Sequence, residues 1–171
     1  KNGLTLKPCT LTDPGMIKRI RGLAYTTKCS SSFAQRMVTS SRGILNGYVG
    51  DVHIYTDSFT TRNGGDSPGY AIGLAAESTT GCVLAAQRTA ITTSVLAAMT
   101  GTDSSSSNPN TSTATTLAES LPGDIDLLTP EDVGRVAAKG LLEEISYGGC
   151  VDAYHQLLYI FFMALGPDQQ V

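Results

Sequence analysis

Two periodicities of hydrophobic and polar positions along the first ninety residues predict strands around one helix. Residues 17–29 carry β-compatible side chains and predict the first strand, after an irregular segment at 1–16. A serine run that suits a helix N-cap follows, and then apolar residues with helical spacing at Phe33, Ala34, Met37, Val38, Ile44 and Leu45. Residues 51–56 alternate and predict a second strand. Two further strands, at 70–77 and 82–86, are separated by a short turn and predict a hairpin.

The pattern near the other end of the sequence predicts two helices. Thr129 suits an N-cap and Pro130 the first helical position, and an apolar stripe continues the helix to about Ser146. Residues 151–165 predict a second helix that is apolar nearly all round, so we expect it to be buried in the centre of the protein. The order β-α-β-β-β-α-α predicts an α+β fold in which helices are layered on a sheet.

A Ser-, Thr- and Ala-rich stretch separates these two regions, at about residues 89–127. Ten of the sixteen residues 101–116 are Ser or Thr. Such a composition buries too little apolar surface to offset the entropy of ordering the chain. We therefore expect a flexible insertion here.

The charge of the chain is unevenly distributed, although its net value is only −3. Residues 1–88 carry ten basic and five acidic side chains, whereas 89–171 carry two basic and ten acidic ones. Five basic residues of the first strand and helix are candidates for a phosphate-binding RNA patch: Lys18, Arg19, Arg21, Arg36 and Arg42. The alternative is an ordinary solvated face. Strand alternation places Arg19 and Arg21 on one side. Only Tyr25 is near in sequence, so base stacking is not indicated.

Other candidate chemistry is weaker. The four cysteines are far apart and form no C-x-x-C motif, so a zinc site is poorly supported and reduced, mostly buried thiols are expected. His53 is expected to face outward. His155 follows Asp152 by three residues, which indicates either a tuned acid–base pair or, as we favour, a helix-capping contact. No nucleophile elbow, phosphate loop or apolar run of membrane-spanning length occurs. We assign no catalytic residue, metal, cofactor or membrane partner.

Three segments together resemble the RNA 3′-terminal phosphate cyclase superfamily: residues 11–22, residues 67–81 and residues 141–166. The likeness is greatest to its non-catalytic, eukaryotic cyclase-like branch. This resemblance implies a larger domain of repeated α/β units with an inserted α+β domain of βαβββ type. Residues 1–16 would end a segment of the larger domain, 17–147 would form the inserted domain, and 148–171 would return to the larger one. The family-like pattern of residues is already under way at Lys1, so we expect this chain to be a middle-to-C-terminal part of a longer protein.

The resemblance also implies that cyclase catalysis is lost. In true cyclases an Asp-Gln pair near the nucleotide site precedes the segment that corresponds to residues 163–165. Leu157 and Leu158 occupy those two positions here, so polar contacts to a nucleotide would be lost. True cyclases are adenylated on a histidine near their C-terminus, beyond residue 171, so neither His53 nor His155 inherits that role.

The cyclase-like branch implies a ribosome-assembly factor rather than an enzyme. The expected setting is the nucleus, and within it the nucleolus, during small-subunit pre-rRNA processing in a pre-ribosomal particle. The expected partners are a ribosome-assembly GTPase, pre-rRNA and a small nucleolar ribonucleoprotein. Two alternatives stay open: an active RNA 3′-terminal phosphate cyclase that uses ATP, and a pre-rRNA endonuclease.

Overall fold

Four strands and three helices make up the part of the chain that the computed structural model describes, which is residues 11–60, 64–65, 67–90 and 129–165. The elements in chain order are β1 (Ile17–Thr27), α1 (Ser32–Leu45), β2 (Val52–Phe59), β3 (Gly69–Ser78), β4 (Val83–Thr89), α2 (Pro130–Ser146) and α3 (Gln156–Leu165). The predicted α+β fold and element order are confirmed for these residues. The predicted Ser/Thr-rich insertion lies outside them from residue 91 onward.

The four strands form one mixed sheet in the order β2-β1-β3-β4. β1 and β2 run parallel, and α1 is the crossover between them. β3 is antiparallel to both of its neighbours, β1 and β4. The tight β3–β4 turn uses Gly81 at φ +91°, a conformation that glycine adopts without strain. Parallel pairing thus brings β2 next to β1 although about thirty residues separate them.

Helices α1 and α2 cover one face of this sheet and form the core with it. Even-numbered strand positions point toward the helices, and the largest fully buried side chains are Ile20 and Ile72 from the sheet, Met37 and Leu45 from α1, and Val133 and Leu141 from α2. Odd-numbered positions point to the opposite face. That face, which we call the open face, carries exposed side chains such as Leu23, Tyr25 and Tyr55.

Gly134 sets the distance between α1 and α2. A Cβ atom at this position would lie 3.0 Å from the Cα of Met37 and closer still to its carbonyl oxygen. Only a residue without a side chain therefore fits where the two helix backbones meet. Nearby, the Ser40 hydroxyl donates to the carbonyl oxygen of Glu131 at 2.7 Å and joins the two helices again.

The N-termini of the two packed helices are stabilised differently. At α2, the hydroxyl oxygen of Thr129 accepts the backbone N–H of Asp132 at 3.2 Å, which confirms the predicted cap. At α1, Ser31 stands at the N-cap but its side chain makes no capping hydrogen bond. Ser30 acts instead, because its hydroxyl accepts the backbone N–H of Ser32 at 3.3 Å.

The last helix differs from its prediction in start and in burial. α3 begins at Gln156 rather than at 151, because Val151 forms a parallel bridge with Val83 beside β4. None of its ten residues is buried, so the described elements do not supply the cover that the predicted central helix requires. Uniform apolarity indicates that a helix needs cover but does not say what supplies it. No helix in the described ranges is long and apolar enough to cross a membrane.

Gly134→Ala should lower the free energy of unfolding by about 1–3 kcal/mol, because the added methyl group must push the backbone of α1 away. Urea denaturation followed by circular dichroism measures this change. Gly43→Ala is the matched control, since a Cβ at Gly43 of α1 meets nothing within 4 Å. That variant should gain up to about 1 kcal/mol from helix propensity. A Gly134→Ala variant as stable as the wild type contradicts the close-contact argument.

Candidate functional site

The two strand arginines lie together on the open face, and each is paired with a carboxylate. Arg19 lies 2.6 Å from Glu77 Oε2. Arg21 donates two hydrogen bonds to Asp51, at 2.9 and 3.0 Å. The hydrogen bonds from Arg21 hold the pKa of the Asp51 carboxyl below its ordinary value. Both arginines are therefore largely neutralised by their neighbours.

The helix arginines lie on the other side of the sheet. Arg36 donates to Glu131 of α2 at 2.5 and 2.7 Å, and these bonds lower the pKa of the Glu131 carboxyl. Arg42 donates to the carbonyl oxygen of Val52 at 3.0 Å. Lys18 is exposed beside Arg19 in β1. The structure thus divides the five predicted RNA-binding residues between two surfaces, and their binding of RNA stays a prediction.

Strand pairing brings aromatic side chains to the open face that are distant in the sequence. Tyr55 of β2 lies directly opposite Leu23 of β1, and Tyr25 is the next β1 residue on the same face. The side chains of Tyr55, Leu23 and Tyr25 are 65%, 45% and 40% exposed. Sequence reasoning considered Tyr25 alone. The alternation of residues 51–56 indicates which face of β2 carries Tyr55. It does not predict the parallel pairing with β1 that makes Tyr55 a neighbour of Leu23.

A cavity of about 440 Å³ lies on the open face beside these aromatic residues. Its lining includes small residues of β3 and β4, namely Gly73, Ala75 and Ala85, and four larger polar residues: Arg21, Gln87, Tyr154 and His155. The volume falls within the range of small-molecule and cofactor sites. An apolar floor with polar groups along its rim suits a flat, polar-edged ligand.

The rim of the cavity is held in place by the buried carboxylate of Asp152. One oxygen accepts the backbone N–H of Ala85 in β4 at 3.0 Å. The other oxygen accepts the backbone N–H of His155 at 3.0 Å, and the ring Nδ1 of His155 lies 2.8 Å away. The expected capping contact and the His–Asp pairing are thus both present. No described residue hydrogen-bonds to Nε2 of His155, and its ring is half exposed.

Arg88 of β4 contacts Tyr154 from the helix-facing side of the sheet, where a Cβ at Gly140 of α2 would lie 3.4 Å from its Nη2. Its Nη1 donates to the Tyr154 hydroxyl oxygen at 2.7 Å and to the Gln87 carbonyl oxygen, also at 2.7 Å. Within the described ranges, no carboxylate pairs with Arg88. Sequence reasoning missed this residue, because it is isolated from the basic cluster in the sequence and reaches Tyr154 only in the fold.

The described cysteines do not line this cavity, whereas Leu158 of α3 lines a second cavity together with Ala85, Asp152 and His155. Cys29, Cys82 and Cys150 are free thiols, and partial burial together with the neighbouring Cys82 raises the pKa of Cys150. Cys9 lies outside the described residues, and among the described ones no group of His, Cys, Asp and Glu could hold a metal ion. Leu157 and Leu158 lie on α3 with 77% and 49% of their surface exposed. His53 faces outward, next to Arg21.

The described residues form an α+β domain, with a mixed four-stranded sheet, two helices on one face and an open face that carries aromatic side chains. The family model described as RNA 3′-terminal phosphate cyclase (RTC), insert domain, matches residues 12–146. The chain therefore belongs to the RNA 3′-terminal phosphate cyclase family, as its sequence resemblance implied. Helix α3 lies beyond the matched residues.

Relatives of known name are similar over almost the whole chain. The RNA 3′-terminal phosphate cyclase-like protein of Homo sapiens is 42% identical over 163 residues, which are 95% of this chain and 36% of that protein. The rRNA processing protein rcl1 of Schizosaccharomyces pombe is 38% identical over 164 residues, 96% of this chain and 36% of that protein. A probable cyclase-like protein of Arabidopsis thaliana is 35% identical over 169 residues, 96% of this chain and 39% of that protein. The chain thus spans little more than a third of the length of these relatives.

Asp152→Ala should loosen the attachment of the segment before α3 to β4, because it removes the acceptor of two backbone N–H groups and of the His155 ring. We expect a loss of about 2 kcal/mol in the free energy of unfolding, and faster amide hydrogen exchange at Ala85. Asp57→Ala is the control, since within the described ranges this exposed carboxylate accepts only from the adjacent Ser58 N–H. Unchanged protection of Ala85 in the Asp152 variant contradicts the assignment.

Proposed function

We propose that this chain is part of a ribosome-assembly factor that acts in small-subunit pre-rRNA processing without cyclase catalysis. The observation that carries the proposal is its likeness, across nearly its whole length, to proteins named cyclase-like and to one named an rRNA processing protein. The proposed location is the nucleolus, within a pre-ribosomal particle. The proposed partners are pre-rRNA, a small nucleolar ribonucleoprotein and a ribosome-assembly GTPase.

The chemistry of α3 supports a role other than RNA 3′-end cyclisation. The family resemblance implies that Leu157 and Leu158 stand where true cyclases have an acidic and an amide side chain near the nucleotide. Aliphatic side chains neither donate nor accept hydrogen bonds, so a site built around them would leave polar groups of a nucleotide unpaired. We therefore propose no cofactor and no catalytic residue in this chain.

The apolar surface of α3 supports its assignment to the larger domain of the family. Eight large apolar side chains of this helix are exposed: Leu157, Leu158, Tyr159, Ile160, Phe161, Phe162, Met163 and Leu165. A continuous apolar surface of this kind requires a cover. The insert-domain match ends at residue 146, and the relatives are much longer than this chain. We therefore propose that residues 148–171 pack within the larger domain, and that 1–16 belong to it as well.

The first test is biochemical. Full-length protein incubated with ATP and an RNA that ends in a 3′-phosphate should leave the end unchanged, because the polar pair near the nucleotide is replaced by Leu157 and Leu158. Resistance of the 3′ end to phosphatase measures the formation of a 2′,3′-cyclic phosphate. A true cyclase of the family, assayed in parallel, is the positive control. Formation of the cyclic end contradicts the proposal and favours the active-cyclase alternative.

The second test is cellular. Depletion of the protein should cause unprocessed small-subunit pre-rRNA to accumulate, and expression of the wild-type protein should restore processing. Northern hybridisation with spacer probes measures the precursors. Normal precursor levels after depletion contradict the assembly role. Selective cutting of a spacer RNA by the purified protein would favour the endonuclease alternative instead.

A further inference from the structure

We propose that the open face binds single-stranded RNA, with bases stacked on Tyr55 and Tyr25 and a neighbouring base seated in the cavity beside His155. This inference rests on the proposed function, because it identifies the surface through which a pre-rRNA processing factor of this family contacts its RNA. The proposed RNA interaction differs from that of the predicted basic patch in the contact that contributes most of the affinity. Stacking supplies most of the affinity, and phosphate contacts supply less.

The stacking residues and the cavity lie in one line across the sheet. Strand register places Tyr55, Leu23, Gly73 and Gln87 in a single row over β2, β1, β3 and β4. Neighbouring strands are about 4.8 Å apart, so this row is roughly 14 Å long. Tyr25 stands in the next row, two residues along β1 from Leu23. The row therefore has room for a short run of bases rather than for one ligand alone.

The two tyrosines have the exposure that base stacking needs. Their rings stand on the pleated surface of the sheet, away from the core, and no described residue hydrogen-bonds to either hydroxyl group. Single-stranded RNA is commonly recognised by four-stranded sheets whose exposed aromatic side chains stack two or three bases. Every base has a π-face, so such contacts tolerate many sequences.

The cavity can accommodate the flat face of a nucleobase on its floor and the polar edge of that base at its rim. Its floor of Gly73, Ala75 and Ala85 carries nothing larger than a methyl group, so a planar ring can lie close to the strands. At the rim, the Gln87 side chain offers both donors and an acceptor, and Nε2 of His155 is not used by any described residue. These groups can pair with the polar edge of the seated base.

The charges of this face favour a single strand bound by stacking. Arg19 and Arg21 are paired with Glu77 and Asp51, so they offer little net attraction to a phosphate backbone. Arg88 lies on the helix-facing side of β4, near Gly140 of α2, so it adds no cation to this face. A duplex would hide its bases from Tyr25 and Tyr55 and would gain little from so few free cations.

The distribution of apolar side chains separates this face from a protein-docking surface. Large exposed aliphatic residues on the open face are few, namely Leu23 and Val83. Helix α3, by contrast, carries the continuous apolar surface that packing against protein requires. We therefore assign the open face to RNA and the surface of α3 to the larger domain.

The test compares tyrosine variants of the full-length protein. Fluorescence anisotropy with a labelled ten-nucleotide single-stranded RNA of mixed sequence measures the Kd, and the same RNA in a duplex is the competitor. Tyr25→Ala with Tyr55→Ala should weaken binding tenfold or more. Tyr25→Phe with Tyr55→Phe should stay within about twofold, since the ring is kept. Tyr48→Ala is the control, because Tyr48 is equally an exposed tyrosine but lies between α1 and β2.

Salt dependence separates stacking from phosphate binding. The double alanine variant should keep the wild-type slope of log Kd against log salt, because no charge is removed. Wild-type affinity in this variant, or an equal loss in Tyr48→Ala, overturns the proposal. So does a wild-type protein that prefers the duplex. Loss of binding and a flatter slope in Arg19→Ala with Arg21→Ala alone would return the interaction to the basic patch and overturn stacking.

The cellular assay keeps this inference distinct from the proposed function. A double alanine variant that binds RNA normally but fails to restore pre-rRNA processing assigns the open face to a protein partner, which overturns the RNA face and leaves the assembly role intact. Normal processing after depletion contradicts the assembly role, whatever the RNA affinity. Weak RNA binding together with defective processing in the double alanine variant, both rescued in the double phenylalanine variant, supports the inference.

Discussion

The close contact of α1 with α2 at Gly134 and Met37 decides how the whole sheet is used. Because glycine lets the two helix backbones meet, both helices fit side by side on one face of four strands. The apolar core then takes the even-numbered strand positions, and it has no further need of the odd-numbered ones. An open face is therefore a consequence of the helix packing, and its tyrosines are available for contacts outside the domain.

Local sequence patterns predict the helices and strands of this fold. The residues that meet at the candidate site are determined by long-range strand pairing instead. Thr129 and Pro130 predict the start of α2, and the alternation of residues 51–56 predicts β2. Both signals are readable because capping and strand periodicity are short-range properties. The neighbourhood of Tyr55 and Leu23 depends on a parallel crossover, which no short-range signal specifies. Arg88 and Tyr154 meet for the same reason. The apolarity of α3 was visible in the sequence, but its cover depends on contacts outside the residues described.

Basic and acidic side chains that are separated along the sequence lie next to each other in the folded protein. Arg36 belongs to the basic part of the sequence and Glu131 to the acidic part, yet they form one ion pair between α1 and α2. Arg21 pairs with Asp51 within the basic part itself. Exposed pairs of this kind add little stability, but each removes one cation from the surface potential. The positive charge counted over residues 1–88 is thus a poor guide to where an anion binds.

Asp152 connects the two surfaces that the structure distinguishes. Its carboxylate binds β4 through Ala85 on one side and the start of α3 through His155 on the other. Tyr154 and His155 line the cavity on the open face, and α3 begins at the next residue. Any packing that moves α3 must therefore also move the rim of the cavity, unless the Asp152 contacts break. A cover on α3 would thus hold Tyr154 and His155 in place at the cavity, and Asp152 would act there together with the Val83–Val151 bridge and the Arg88–Tyr154 hydrogen bond.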